Sequence, residues 1–254
     1  MSSFATTAIL LRRVDFGDYD LIIHFYTLNK GKLSVIAKSA KKSTKRFAGI
    51  LELFSVLDIV CSKGRGRGLP VLTEAIIKHP FANIRSNIIK TAYASYWAEL
   101  INECMEEAQK QHQLFYLFRH VLEALDLGQI PAAALSIIFQ IRFMTISGLR
   151  PNLSSCSICQ TEIGQTKENN FAFDIGKGGL VCSGCAAVSV RKLCLSKGTI
   201  KQLLWVKSGD LAKAIRIRFT SQALKEGLEF LEAFVPYHLE KELRSLVFLK
   251  QIRT

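Results

Sequence analysis

The sequence has no run of about 18 apolar residues, the length a helix needs to cross a bilayer, so no membrane span is expected. Its opening residues, Met1 to Thr7, contain neither a basic segment nor a long apolar one, and no secretory leader is expected. The words of several enzyme classes are also missing. There is no His-Glu-x-x-His motif, no phosphate-cradling Gly-Lys-Ser/Thr loop and no compact Asp/Glu set, which argues against a zinc hydrolase, an ATPase and a metal-dependent nuclease. Acidic residues are scarce: 21 Asp and Glu stand against 34 Lys and Arg, a formal net charge of +13. Proline is sparse as well, at 5 in 254 residues, and with 49% hydrophobic residues the composition excludes a disordered chain. The length leaves room for one to three domains with a sizeable core.

What is present is unevenly spread. Residues 1–80 carry a net +7, residues 81–155 are neutral and residues 156–254 carry +6. Two basic regions flanking a neutral middle suit a chain whose ends touch a polyanion.

The seven cysteines are of two kinds. Cys61, Cys104 and Cys194 are isolated, as suits a reducing compartment, and the expected location is the cytoplasm. Cys156-Ser-Ile-Cys159 and Cys182-Ser-Gly-Cys185 are two Cys-x-x-Cys pairs. Two thiolates three positions apart on a tight turn both reach one ion, and a second such turn completes a tetrahedral Zn²⁺ site. Phe171 to Phe173 and Gly179 to Val181 read as short strands around a turn at Asp174 to Gly178, which returns the second pair to the first. Redox motifs and disulfides are the competing readings; they belong to thioredoxin-like and secreted contexts that the sequence does not display. Four sulfurs leave the ion no open position, so the expected Zn²⁺ is structural.

Residues 1–80 show five β-rich runs: Ala8 to Arg12, Leu21 to Tyr26, Leu33 to Ala37, Leu51 to Cys61 and Leu69 to Ile77. With no helix-length segment between them, they predict a small barrel of the oligonucleotide-binding (OB) type, an SH3-like barrel or open meander being the competing folds. Two connecting loops are basic. Lys38, Lys41, Lys42, Lys45 and Arg46 place five cations within nine residues, and Lys63-Gly-Arg65-Gly-Arg67 adds two guanidiniums among glycines. Mobile ammonium groups follow a phosphate backbone without reading bases, and glycines let the main chain approach a ligand.

Beyond Pro80 the period becomes helical. Ile84 to Glu107, Leu114 to Gly128 and Pro131 to Gly148 read as three amphipathic helices. After Cys185 the chain is expected to return to helix, with Ser196 and Asp210 as N-caps and Pro236 as a break or kink. These later helices are expected to pack on the earlier ones. The predicted fold class is therefore α+β: an OB-type barrel over residues 1–80, then a helical bundle over residues 81–254 carrying a zinc knuckle inserted at about residues 152–192. Two functional classes compete on these grounds: a DNA-binding, strand-annealing protein, and a zinc-braced adapter that takes acidic peptide tails.

The order of these parts resembles the bacterial recombination mediator family RecO. The matching words are Asp18-Tyr-Asp20-Leu21-Ile22, Lys30-Gly31-Lys32, Ala37-Lys38-Ser-Ala40-Lys41-Lys42, Arg46-Phe47, Gly178-Gly179-Leu180-Val-Cys182 and Tyr237-His238-Leu239, and they span nearly the whole chain. Ser39 departs from the family, which usually has glycine there. The resemblance implies a non-enzymatic DNA repair protein that binds single- and double-stranded DNA, anneals strands and helps load RecA, with RecR and the tail of single-stranded DNA-binding protein as partners. By position it assigns DNA contacts to Lys38, Lys41, Lys42, Lys45 and Arg46, and metal ligation to Cys156, Cys159, Cys182 and Cys185. Arg65 and Arg67 join the DNA set from the second loop.

Overall fold

A computed structural model of the chain describes residues 3–63, 68–188 and 192–253. Strands β1 (Ser3–Phe16), β2 (Asp20–Thr27), β3 (Gly31–Ala37), β4 (Val56–Ser62) and β5 (Val71–His79) form a closed barrel in the order β1-β2-β3-β5-β4. Alternate side chains point inward, so Ile23, Phe25, Val35, Leu57, Ile59 and Leu72 meet in one apolar core. Closure depends on the length of β1. Its first half, Ser3 to Ile9, pairs with β4, and its second half, Ala8 to Phe16, pairs with β2. The ladder shifts register between Leu10 and Arg12, the kind of bulge that bends a strand around a barrel.

The fourth strand starts later than its apolar run. Leu51 and Phe54 are buried, yet Leu51 to Ser55 form turns, with Phe54 in the left-handed region at φ 69°. Phe54 N donates to the Leu10 carbonyl and Leu10 N to the Ser55 carbonyl, so the segment plugs the barrel end beside the bulge. β3 and β5 meet through one parallel bridge, Ile36 to Val71.

The chain divides into two compact units, residues 1–127 with 247–254, and residues 128–246. In the first, helices α1 (Ala82–Arg85), α2 (Ile88–Cys104) and α3 (His112–Leu127) follow the barrel. Arg85 fastens α1 to it, donating to the carbonyls of Pro80 at 2.7 Å and Leu53 at 3.0 Å. The connector between α2 and α3 lies on the barrel: Tyr26 Oη donates to the Gln111 carbonyl, and Ala108 N to the Lys32 carbonyl.

The second unit contains α4 (Ala132–Ile146), a sheet of β6 (Asn170–Asp174), β7 (Gly179–Val181) and β8 (Lys192–Ser196) in the order β7-β6-β8, then α5 (Lys197–Ser208), α6 (Leu211–Ala214) and α7 (Ser221–Leu239). α8 (Arg244–Arg253) follows, its part from Val247 onward counted with the first unit. α4 is the apolar centre of the second unit, with Leu135, Ile137, Ile138, Phe139, Ile141 and Phe143 fully buried. α7 packs on it at Gly227, where an added Cβ would sit 3.0 Å from Ile137 Cδ1. Phe173 of β6 contacts Phe230 and Phe234 of α7, with ring centroids 4.5 and 5.6 Å apart.

The expected packing of late helices on earlier ones therefore holds for α7 on α4 and for the end of α8, where Arg253 reaches Tyr93 Oη of α2, whereas α2 and α3 themselves group with the barrel. The expected return to helix after Cys185 is corrected: among the described residues a short 3-10 helix, Ser183–Val188, is followed by β8, which completes the sheet before α5 begins. Ser196 and Asp210 do cap α5 and α6 through their side chains. Pro236 does not interrupt α7, because it sits in the last turn, where the lost N–H costs one bond before the helix ends at Leu239.

Glu226 of α7 holds the junction of β8 and α5 together. It accepts from Ser196 N at 2.8 Å, Ser196 Oγ at 2.9 Å and Thr199 Oγ1 at 2.5 Å. Burial raises its pKa, but these donors, Thr199 foremost, outweigh burial and leave it below the ordinary carboxylate value. A depressed folded pKa contributes stability that is present above the unfolded value of about 4.3 and lost as pH falls through the folded one. Glu226→Gln is expected to lower stability at neutral pH and to lose less than the parent between about pH 5 and pH 3; parallel urea midpoints for the two proteins across that range would contradict this.

Gly31 provides a second test. Its φ is +63°, and a Cβ there would lie 2.1 Å from the Gln109 carbonyl oxygen on the α2–α3 connector. Gly31→Ala is expected to cost at least about 2 kcal/mol in urea unfolding, from the left-handed backbone and the overlap together; an unchanged midpoint would show that the connector does not rest there.

Candidate nucleic-acid interface and metal centre

The loop that follows β3 is anchored by apolar side chains and exposes its cations. Ala40, Phe47 and Leu51 insert into the barrel core, while Lys38, Lys41, Lys42, Lys45 and Arg46 are all exposed. Local hydrogen bonds set its path. Ser39 N donates to Asp20 Oδ1 at 2.7 Å, Lys41 N to the Tyr19 carbonyl at 3.0 Å, and Ser43 Oγ accepts from Arg46 N and Phe47 N. Ser39 itself has φ 55°, a left-handed conformation that glycine adopts without steric cost. That is a physical reason for the glycine expected at this position from the family resemblance.

The cations are less mobile than the sequence suggested. Lys41 Nζ lies 3.0 Å from Asp15 Oδ2, Lys42 Nζ sits 3.3 Å above the Tyr19 ring, and an Arg46 guanidinium nitrogen donates to the Lys38 carbonyl at 2.6 Å. Lys38 and Lys45 make no ion pair among the described residues. Asp15 is 78% exposed, so its pairing with Lys41 is weak and yields readily to a phosphate.

Two aromatic side chains that sequence reasoning passed over complete this surface. Phe16 and Tyr19, in and beside the β1–β2 turn, are 50% and 45% exposed. An exposed ring beside a lysine, as Tyr19 is beside Lys42, is the kind of surface on which bases stack. Their signal was Phe16-Gly-Asp-Tyr19, two aromatics in a segment otherwise built for turning. Arg65 and Arg67 lie outside the described residues; Lys63, just before them, is exposed.

In the second unit the two Cys-x-x-Cys turns converge. The Sγ atoms of Cys156, Cys159, Cys182 and Cys185 all lie within 4.8 Å of one another, with Cys159 and Cys182 at 3.6 Å. The β6–β7 hairpin makes this possible, and the first turn docks directly on it: Leu180 N donates to the Asn152 carbonyl and Ser157 N to the Leu180 carbonyl. Gly179 allows that close approach: a Cβ there would displace the Ser157 hydroxyl, 2.0 Å away, and crowd Asn152 Cβ at 3.1 Å. Backbone N–H groups of Ile158 and Cys182 point at Cys156 Sγ, each at 3.5 Å.

The donor set fits a metal. Metal–sulfur distances near 2.3 Å in a tetrahedron require sulfurs roughly 3.8 Å apart, close to the spacing here. Thr161 leads the interactions that pull the Cys159 thiol down to about 6, while its sulfur neighbours, Cys182 first, push Cys185 up to about 12. Four thiolates so close repel one another unless a cation sits among them, which is the chemistry of a closed structural site.

Comparison with known proteins identifies the family. The model "Recombination protein O N terminal" matches residues 1–81, and "Recombination protein O C terminal" matches residues 85–246. The chain is 46% identical to a DNA repair protein RecO of Desulfosudis oleivorans over 100% of this chain and 99% of that one. It is 42% identical to one of Desulfatibacillum aliphaticivorans over 100% and 98%, and 34% identical to one of Anaeromyxobacter sp. (strain K) over 99% and 98%. The chain belongs to the RecO family. It is a RecO-family DNA repair protein, and no helix among its described residues is long and apolar enough to cross a membrane. The resemblance read from scattered words is borne out over the full length, as is the α+β class with an N-terminal five-stranded barrel.

The RecO cysteine cluster is open to spectroscopic test. Substituting Co²⁺ is expected to give the strong visible absorption of a tetrahedral tetrathiolate at one ion per chain, and Cys156→Ser to abolish it. Weak absorption, or binding that survives the substitution, would contradict a four-sulfur site.

Proposed function

We propose that this RecO-family chain binds and anneals DNA strands without catalysing bond chemistry, and helps load recombinase onto protein-coated single strands. The observation that carries the reading is the loop of five exposed cations anchored in the barrel core, with Tyr19 and Phe16 beside it. In this reading residues 1–80 form the DNA-binding domain, and Lys38, Lys41, Lys42, Lys45 and Arg46, with Arg65 and Arg67, meet phosphates. Residues 81–254 are the helical part of the chain, shared between the two compact units and interrupted at about residues 152–192 by the insertion in which Cys156, Cys159, Cys182 and Cys185 hold a structural Zn²⁺. RecR, the tail of single-stranded DNA-binding protein and, indirectly, RecA are the partners that family membership suggests. The chain would work in the cytoplasm, at the nucleoid.

The physics of annealing is simple. Two complementary strands repel through their phosphates, and the repulsion reaches about 10 Å at 0.1 M salt. Cations that replace condensed counterions release those ions and lower the cost of bringing the strands together. Lysines suit the task because they neutralise phosphate without fixing base orientation. Zn²⁺, when bound, would brace a small sheet that cannot bury enough apolar surface alone.

The test is the combined replacement of Lys41, Lys42, Lys45 and Arg46 by Ala. Binding to single strands of any sequence is expected to weaken, annealing to slow, and the dependence of log affinity on log salt to become shallower by up to about 3, near 0.7 for each phosphate that goes unneutralised. Unchanged affinity and slope would remove the loop from the mechanism.

A further inference from the structure

A second cationic feature lies at the other end of β3. Because β5 meets β3 only through the bridge of Ile36 to Val71, the early part of β3 lacks a strand on that edge among the described residues. The α2–α3 connector takes part of the position: it bridges Lys32 to Glu107, and Ala108 N donates to the Lys32 carbonyl at 3.3 Å. Between the connector and the residues Lys63 and Gly68 to Pro70 is a recess of about 340 Å³. That volume is at the small end of ligand pockets, which run from about 300 to 1,000 Å³.

The recess has two chemically distinct sides. Phe4, Leu33, Leu69 and Pro70 provide an apolar one. Lys30, Lys32, Lys63 and Lys110 provide a cationic one, offset by the single carboxylate of Glu107. Two of these lysines are already engaged: Lys32 Nζ donates to the Asn102 carbonyl at 2.7 Å, and Lys30 Nζ lies 4.5 Å from the Phe4 ring centroid. Lys63 and Lys110 are exposed and make no ion pair among the described residues. Four lysines around one small hollow favour an anion there, and the apolar side suits an anion that carries an uncharged body.

We infer that this recess binds one nucleotide of a single DNA strand, its base against Phe4, Leu33 and Leu69 and its phosphate between Lys63 and Lys110. The inference rests on the reading of the barrel as a DNA-binding module and adds a second point of attachment to it. Lys32 stands at the start of β3 and Lys38 just past its end, six residues on. At about 3.3 Å per residue the two points are about 20 Å apart along the strand, so a ligand of several nucleotides reaches both. The recess thus fixes one end of a strand whose following phosphates run to the exposed cations of the loop.

The experiment uses the full chain and an oligothymidylate of about 20 nucleotides carrying 4-thiothymidine, longer than the roughly 4 to 16 nucleotides that one OB barrel occupies, so that it covers both points of attachment. Photo-crosslinks are expected in the peptides that contain Phe4 and Leu69, and to persist in the bound fraction of the Lys41, Lys42, Lys45 and Arg46 variant. Lys63→Ala with Lys110→Ala is expected to remove those crosslinks and make the salt slope shallower by about 1.4, two phosphates at about 0.7 each. Both lysines are exposed, so the pair should fold as the parent does. A parent that binds the oligonucleotide while the double variant keeps its slope and its crosslinks overturns the inference and leaves the basic loop standing. A parent that retains no oligonucleotide at all overturns both. Thymidine monophosphate that blocks crosslinking at concentrations comparable to the oligonucleotide would overturn it too, by marking the recess as a free-nucleotide site; so would an acidic peptide that enters the recess while oligonucleotide does not.

Discussion

Strand β1 is hydrogen-bonded along both edges, to β4 through its first half and to β2 through its second, and the first unit depends on that double pairing. Closure leaves little free strand edge, the early part of β3 being the exception among the described residues, so the loops leave from the rims. The bulge between Leu10 and Arg12 turns β1 from one neighbour to the other, and the Leu51 to Ser55 plug is hydrogen-bonded at that point. Lys38 to Arg46 consequently emerge between two buried anchors, the end of β3 and Phe47. Their charge density is written in the sequence, and the barrel decides where it is displayed.

The second unit solves a different problem. β6, β7 and β8 make a sheet too small to carry a core, and it is held from two sides. On one, Phe173 packs against Phe230 and Phe234; on the other, four sulfurs meet within 4.8 Å. Glu226 then ties the last strand to α5 and α7. Removing the aromatic side would cost burial, and removing the sulfur side would cost ligation, so the sheet depends on both.

Much of this was legible in the sequence, for identifiable reasons. The Cys-x-x-Cys spacing encodes its geometry locally, and Ser196 and Asp210 cap the helices that follow them because a short polar side chain at that position has one obvious use. The β-rich runs revealed the barrel because strands buried on one face alternate. The fourth run misled because Leu51 and Phe54 are buried in a plug, and burial alone does not distinguish a turn from a strand. β8 was missed because Lys192 to Ser196 is too short for its alternation to stand out before a strong N-cap. The grouping of α2 and α3 with the barrel, and the role of Gln109 over Gly31, are tertiary facts with no local signature. Phe16 and Tyr19 looked like ordinary turn neighbours, and only their exposure, with Lys42 over the Tyr19 ring, marks them.

The central claim is that DNA lies on the barrel rim formed by the β3–β4 loop and the β1–β2 turn. Amide hydrogen exchange of the full chain, with and without an oligothymidylate of about 20 nucleotides, tests it most directly. Added protection is expected over residues 16–20 and 38–47, with little change in α4 and α7. Protection confined to the helical unit, or none on the rim under conditions where the oligonucleotide is bound, would contradict the account.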